Sequence, residues 1–147
     1  FRGCVGLTSI EIPDSVTAIG GSIFEGCTGL TSIEIPNYVT DMGASAFGGC
    51  MCLTSIKIPS SVSGIRPYTL YGCTGLISIE IPTSVTAIGV RAFDGCTGLV
   101  AVEIPKSFTS SGDSIFSRCI NMRFVVAPPH IVEVGSAILC PDCPLRP

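Results

Sequence analysis

Cysteine recurs every 23 residues, at Cys4, Cys27, Cys50, Cys73, Cys96 and Cys119. Leu7, Leu30, Leu53, Leu76 and Leu99 keep the same period, as do Pro13, Pro36, Pro59, Pro82, Pro105 and Pro128. A fixed period of roughly 20–50 residues is the mark of a solenoid, in which each repeat is one coil stacked on the next. The architecture is therefore constrained before any single residue is considered.

Composition narrows the choice further. The chain has 147 residues, 46% of them hydrophobic and only 13% charged. Its most apolar region, 124–140, is interrupted by Pro128, Pro129, His130 and Glu133. No stretch approaches the roughly 18 apolar residues of a membrane span, so the hydrophobic residues must be buried in a fold. The net charge is −3 and no Lys/Arg cluster occurs, which argues against a nucleic-acid partner. No basic amphipathic segment for a membrane surface is visible. The chain opens inside a repeat, at Phe1-Arg2-Gly3-Cys4, and is read as an N-terminally truncated array.

Residues 27–49 show what one coil does. Ser32-Ile33-Glu34-Ile35 alternates polar and apolar, the period of a half-buried strand. Pro36 lacks a backbone donor and ends it, and Asn37 suits the turn that follows. A second short extended piece, 39–42, precedes Gly43. Residues 44–49 are expected to form one helical or 3₁₀ turn that buries Phe47 and ends near Gly48-Gly49. A single coil of this size cannot fold alone, because its stability depends on the faces shared with its neighbours. About 4.8 Å between successive coils gives a rod roughly 30 Å long for six coils.

Stacking predicts columns. Leu7, Leu30, Leu53, Leu76, Leu99 and Met122 form one. Ile10, Ile33, Ile56, Ile79, Val102 and Val125 form a second, and Ile12, Ile35, Ile58, Ile81 and Ile104 a third. Phe24, Phe47, Leu70, Phe93, Phe116 and Leu139 form the fourth. Bulky rings on one side and slim strands on the other make each coil a wedge. The expected fold is a leucine-rich-repeat solenoid, β-rich and horseshoe-like. Its parallel sheet of short strands lies on the concave face, with a short strand and a helical or 3₁₀ turn opposite. The array is expected over residues 1–139, in about six coils, with an irregular Cys/Pro tail at 140–147.

The unit C-x-x-L-x-x-I-x-I-P-x-x-V-x-x-I-G-x-x-x-F-x-G resembles the leucine-rich repeats of the BspA-like, or Treponema pallidum-type, family. The match is close in 30–50 and in 76–96, and it covers nearly the whole chain. Arg66 departs from it by replacing a glycine, Ser111 by replacing an isoleucine, and Cys52 by standing where other coils have Gly6, Gly29, Gly75 and Gly98. Arg118, Asn121, Met122 and Val126 break the pattern in the last coil. Members of the family are commonly cell-surface or secreted proteins, and several act as adhesins. The resemblance thus implies a non-catalytic protein-interaction module of that kind. An intracellular protein-binding scaffold is the alternative, and a spacer for an enzyme domain elsewhere ranks third.

No catalytic motif competes with this reading. Neither G-x-S-x-G, a Walker motif nor G-x-G-x-x-G occurs, and the repeated G-C-T-G-L is a turn into a strand. His130 is the sole histidine. The chain is read as no enzyme, with no catalytic residue, cofactor or metal site. The six periodic cysteines are read as a buried column of free thiols in preference to a disulfide framework, since their Cβ vectors run parallel. Cys140-Pro141-Asp142-Cys143 is off the repeat phase. It fits an irregular turn or local disulfide, with a redox pair or part of a metal site as alternatives.

The candidate binding surface is the exposed face of the sheet. Ser9, Ser32, Ser55, Ser78 and Ala101 form one outward column, and Glu11, Glu34, Lys57, Glu80 and Glu103 the other. Neighbouring glutamates about 5 Å apart in water repel by roughly 0.8 kcal/mol, which Lys57 between Glu34 and Glu80 would relieve. The face is either a solvated surface or an acidic, serine-lined strip for a protein, such as a matrix or host protein, or a glycan.

Overall fold

The computed structural model describes residues 1–129. His130, Leu139 and the 140–147 tail with its C-P-D-C segment lie outside the described residues. Coils 1 to 5 are counted here as residues 4–26, 27–49, 50–72, 73–95 and 96–118, and coil 6 begins at Cys119.

The regular strands are short: β1 (Ala18–Ile19), β2 (Asp41–Met42), β3 (Gly64–Ile65), β4 (Ala87–Ile88), β5 (Ala101–Glu103), β6 (Ser110–Ser111) and β7 (Phe124–Val126). Every pairing is parallel and joins residues one repeat apart, such as Ala18 with Asp41 and Ala87 with Ser110. Five of the seven strands belong to the second extended piece of the coil. The Ser-Ile-Glu-Ile piece pairs through single bridges, Glu11 with Glu34, Lys57 with Glu80 and Ser78 with Ala101. It widens into a true strand pair only where β5 meets β7. The proline after each such piece removes the donor that would extend the ladder.

The segment expected to form a helical or 3₁₀ turn is a chain of turns whose bonds span three residues, as in a 3₁₀ turn, but which does not run on as helix. Ile23 N–H donates to Gly20 C=O, Glu25 to Ser22 and Cys27 to Phe24. Continuous helix is excluded by left-handed residues at two places per coil. One is Ser22, Ser45, Tyr68, Arg91 and Ser114, with φ of 51–58°; the other is Gly3, Gly26, Gly49, Gly72 and Gly95. Alternate amides then point out of the coil into the next one. Ser22, Phe24 and Gly26 N–H donate to Ala44, Ala46 and Gly48 C=O at 2.8–2.9 Å. The turns thus satisfy their backbone groups across coils, as strands do.

Inside, the four apolar columns are buried from coil 2 through coil 5; in coil 1 Phe24 is buried and Leu7, Ile10 and Ile12 are half-buried. Phe24 stacks on Phe47 and Phe93 on Phe116 with ring centroids 5.4 and 5.3 Å apart. These spacings exceed the ~4.8 Å of paired strands, so the ring side of each coil is the thicker one and belongs on the outside of the bend.

The thiol column is built in the same way. Cys27, Cys50, Cys73 and Cys96 are buried free thiols, and Cys119 is buried with them. Each Sγ–H donates to a carbonyl 26 residues back: Phe1, Phe24, Phe47, Leu70 and Phe93, at 3.0–3.2 Å. Phe24 C=O also accepts Cys27 N–H, so both of its lone pairs are used. Burial pushes the Cys50 thiol up from 9.0 to about 12 and raises Cys73 and Cys96 as well, with the neighbouring thiols adding to the effect. Cys4 and Cys52 are exposed.

One junction is looser than the rest. The second-piece ladder is split between β2 and β3. At the positions equivalent to residue 66, a Cβ on Gly43, Gly89 or Gly112 would come within 2.2–2.4 Å of a backbone nitrogen in the preceding coil. Arg66 places a side chain there, and the two coils part locally. The gap is spanned by an exposed ion pair, Arg66 Nε to Asp41 Oδ1 at 2.9 Å. The Ser-Ile-Glu-Ile side is stretched at the same junction, where Thr54 N–H to Thr31 C=O is 3.5 Å.

Candidate functional site

The alternation of the first piece, with Ile inward and Ser or Glu outward, sets the exposed strip. Ser9, Glu11, Ser32, Glu34, Ser55, Lys57, Ser78, Glu80 and Glu103 are all exposed, and Ala101 is half-buried. Parallel register places the members of each column opposite one another, so the repeat turns one outward residue per coil into a row. An open groove of about 430 Å³ runs along the middle coils, lined by Ser32, Glu34, Ser55, Lys57, Ser78 and Glu80 over a floor of Ile33, Ile56 and Ile79. A smaller hollow of about 220 Å³ is lined by Asn37, Lys57, Ile58, Ser60, Glu80 and Pro82.

Among the described residues the ion pairs are Arg2–Glu25, Arg66–Asp41, Arg91–Asp94 and Arg118–Asp94. Lys57 therefore bridges neither Glu34 nor Glu80 at contact distance. Its exposed ammonium acts on the acidic column at longer range.

Two features escaped the sequence reading. The first is the far end of the strip. Ala101 lies opposite Phe124 and Glu103 opposite Val126, so both outward columns continue into coil 6 with apolar side chains. Phe124 and Val126 are 56% and 59% exposed. Counting 23 residues on from Ala101 and Glu103 would have found them. The second is Asp94, which is buried and held by two bonds from Arg118, Nε–Oδ1 at 2.8 Å and Nη2–Oδ2 at 2.9 Å. Arg118 sits at the position of the left-handed glycines with φ of 55°, and its guanidinium lies 5.6 Å from the Tyr71 ring centre. No periodic signal marks this contact, because it joins two different columns.

Among the described residues no group of three or more His, Cys, Asp or Glu side chains is placed to hold a metal ion. No helix among them is long and apolar enough to cross a membrane.

Stacked parallel coils, a buried column per apolar position and a flat row-built face define a leucine-rich-repeat protein. Residues 1–138 match the BspA type leucine rich repeat region in six copies, and the chain belongs to that family. The structure is similar to the leucine-rich-repeat protein of Treponema pallidum, with a TM-score of 0.77 and 28% identity over 80% of this chain and 57% of that one. It is also similar to a leucine rich cell surface protein from Faecalibacterium prausnitzii, with a TM-score of 0.80 and 30% identity over 88% of this chain and 34% of that one. A leucine-rich-repeat protein from Bacteroides ovatus matches with a TM-score of 0.52 and 26% identity, over 85% of this chain and half of that one. The chain thus spans between a third and somewhat over half of the lengths of these relatives. Comparison with curated proteins finds no match. Repeat proteins of this class serve in general as scaffolds for protein interaction.

Proposed function

We propose that this chain is a non-catalytic interaction module of a cell-surface or secreted, adhesin-like protein, and that it binds through the outward face of its sheet. The observation that carries the reading is the strip itself: nine exposed polar or charged side chains in register, above a groove of about 430 Å³. The similar protein from Faecalibacterium prausnitzii is described as a cell surface protein, which supports the location. The domain reading is an array over 1–139 followed by a separate tail at 140–147.

The alternative, an intracellular scaffold, fits the column of buried cysteines equally well, since a reducing compartment would keep them as thiols. Two measurements separate these readings. Protease treatment of intact source cells removes the antibody signal for residues 27–95 if the protein is outside, and leaves it intact until lysis if it is inside. Replacing Glu11, Glu34, Glu80 and Glu103 with lysine abolishes capture of matrix proteins or glycans if the strip is the site; unchanged capture rejects the face.

A further inference from the structure

The ligand-bearing face is not uniform along its length, and this points to the chemistry of its occupant. Its coil 1–5 portion carries Glu11, Glu34, Glu80 and Glu103 around a single Lys57. In coil 6 both outward columns turn apolar, at Phe124 and Val126. These two residues are spaced two apart on β7 and therefore share the outward side, while Val125 between them packs against the core. The column one residue before Ser32, Ser55, Ser78, Ala101 and Phe124 changes along the chain as well. Its backbone bonds run Thr31 to Thr8, Thr54 to Thr31, Ile77 to Thr54 and Val100 to Ile77, then Arg123 to Val100. Threonines thus give way to Ile77, which is 56% exposed, and the row ends on exposed Arg123.

The strip therefore has a direction. One end attracts cations, and the other offers a desolvatable apolar surface at Phe124 and Val126.

We propose that the occupant is an extended polypeptide segment lying across the coils, with basic side chains over Glu11 to Glu80 and apolar side chains against Phe124 and Val126. This rests on the reading of the face as the binding site. Five coil steps of about 4.8 Å separate the Glu11 and Val126 levels, a span an extended chain covers in about seven residues at ~3.3 Å each. A polypeptide is the polymer that combines clustered cations with clustered alkyl or aromatic groups. A neutral saccharide chain can stack the C–H face of a ring on Phe124, but it has no cations to set over the glutamates.

The test is a set of anisotropy titrations of the full chain with fluorescein-labelled ten-residue peptides. The probes are a basic half joined to an apolar half in either order, a basic half joined to serines, serines joined to an apolar half, and an acidic half joined to an apolar half. One of the two basic–apolar peptides binds about tenfold tighter than the basic–serine or serine–apolar peptide. Phe124→Ser with Val126→Ser, both at exposed positions, lowers it to the basic–serine level. Glu34→Lys with Glu80→Lys weakens it by about tenfold or more and strengthens the acidic–apolar peptide. Equal binding of basic–apolar and basic–serine peptides, unmoved by the Phe124/Val126 change, overturns the proposal while leaving the face as the site. Peptide binding untouched by the Glu34/Glu80 change rejects the face as well. Absence of peptide binding also overturns it, and binding of neutral oligosaccharides lost on the Glu34/Glu80 change would then assign the strip to glycans.

Discussion

Glycine at the end of the second extended piece is required by stacking and not by its own conformation, and one comparison isolates the two. Gly20 and Gly89 hold the same place in coils 1 and 4. A Cβ on Gly20 meets nothing within 4 Å, whereas one on Gly89 lies 2.4 Å from Pro67 N and 2.7 Å from Arg66 C. Both obstacles are backbone of the preceding coil, so relief requires the coils to separate. Separation weakens the Gly89 N–H bond to Ile65 C=O, now 2.7 Å, and the register of Gly64 with Ala87 and Ile65 with Ile88. At about 1 kcal/mol net per hydrogen bond, with two or three bonds and some packing affected, Gly89→Ala destabilises by roughly 2–4 kcal/mol. Gly20→Ala stays within about 0.5 kcal/mol or stabilises slightly, since alanine narrows the unfolded ensemble. With a urea slope of about 2 kcal/mol/M the midpoints differ by about 1–2 M. Far-UV circular dichroism during urea unfolding reads this directly. Equal shifts for the two variants would refute the stacking argument and make the glycine a local backbone requirement. The natural variant is Arg66, where the ladder is already split; Arg66→Gly is expected to join β2 to β3 and stabilise by about 1 kcal/mol, because the exposed ion pair it removes contributes little.

Four further outcomes are expected. Phe47→Ala removes a fully buried ring stacked on Phe24 and destabilises by about 3–5 kcal/mol in the same urea assay. In the native chain at pH 8, iodoacetamide modifies Cys4 and Cys52 and spares the five buried cysteines, as peptide mapping will show. The buried thiols also give stability a pH dependence. Between pH 9 and about 12 the unfolded chain releases thiol protons that folded Cys50 retains, so stability is complete below 9 and falls as pH rises through that window, by roughly 1.4 kcal/mol per unit for a single thiol. Asp94→Asn breaks the paired bonds from Arg118 and lowers stability by about 1–3 kcal/mol, in excess of an exposed ion pair such as Arg66–Asp41; an equal, small effect for Asp41→Asn would show that burial of Asp94 adds nothing.

The 23-residue period alone determined the solenoid, its parallel stacking and the inward columns of Leu, Ile, Phe and Cys. The reason is that any residue repeated at a fixed interval must meet its own kind in the next coil. The outward strip from Ser9 to Glu103 was legible for the same reason, because alternation about buried isoleucines leaves its polar partners one direction to face. The sequence was silent wherever the outcome depends on distances between coils. Which extended piece pairs more regularly is decided by prolines acting against a ladder whose length only the backbone reveals. The junction at Arg66 follows from a 2.2–2.4 Å approach that no composition reports. The buried thiols find carbonyls 26 residues back, three past the period, because the side chain reaches diagonally across the stack. Asp94 meets Arg118, 24 residues on, through a left-handed backbone at the arginine. Periodicity determines which residues stack, and tertiary structure alone decides how closely the coils approach and which unlike neighbours touch as a result.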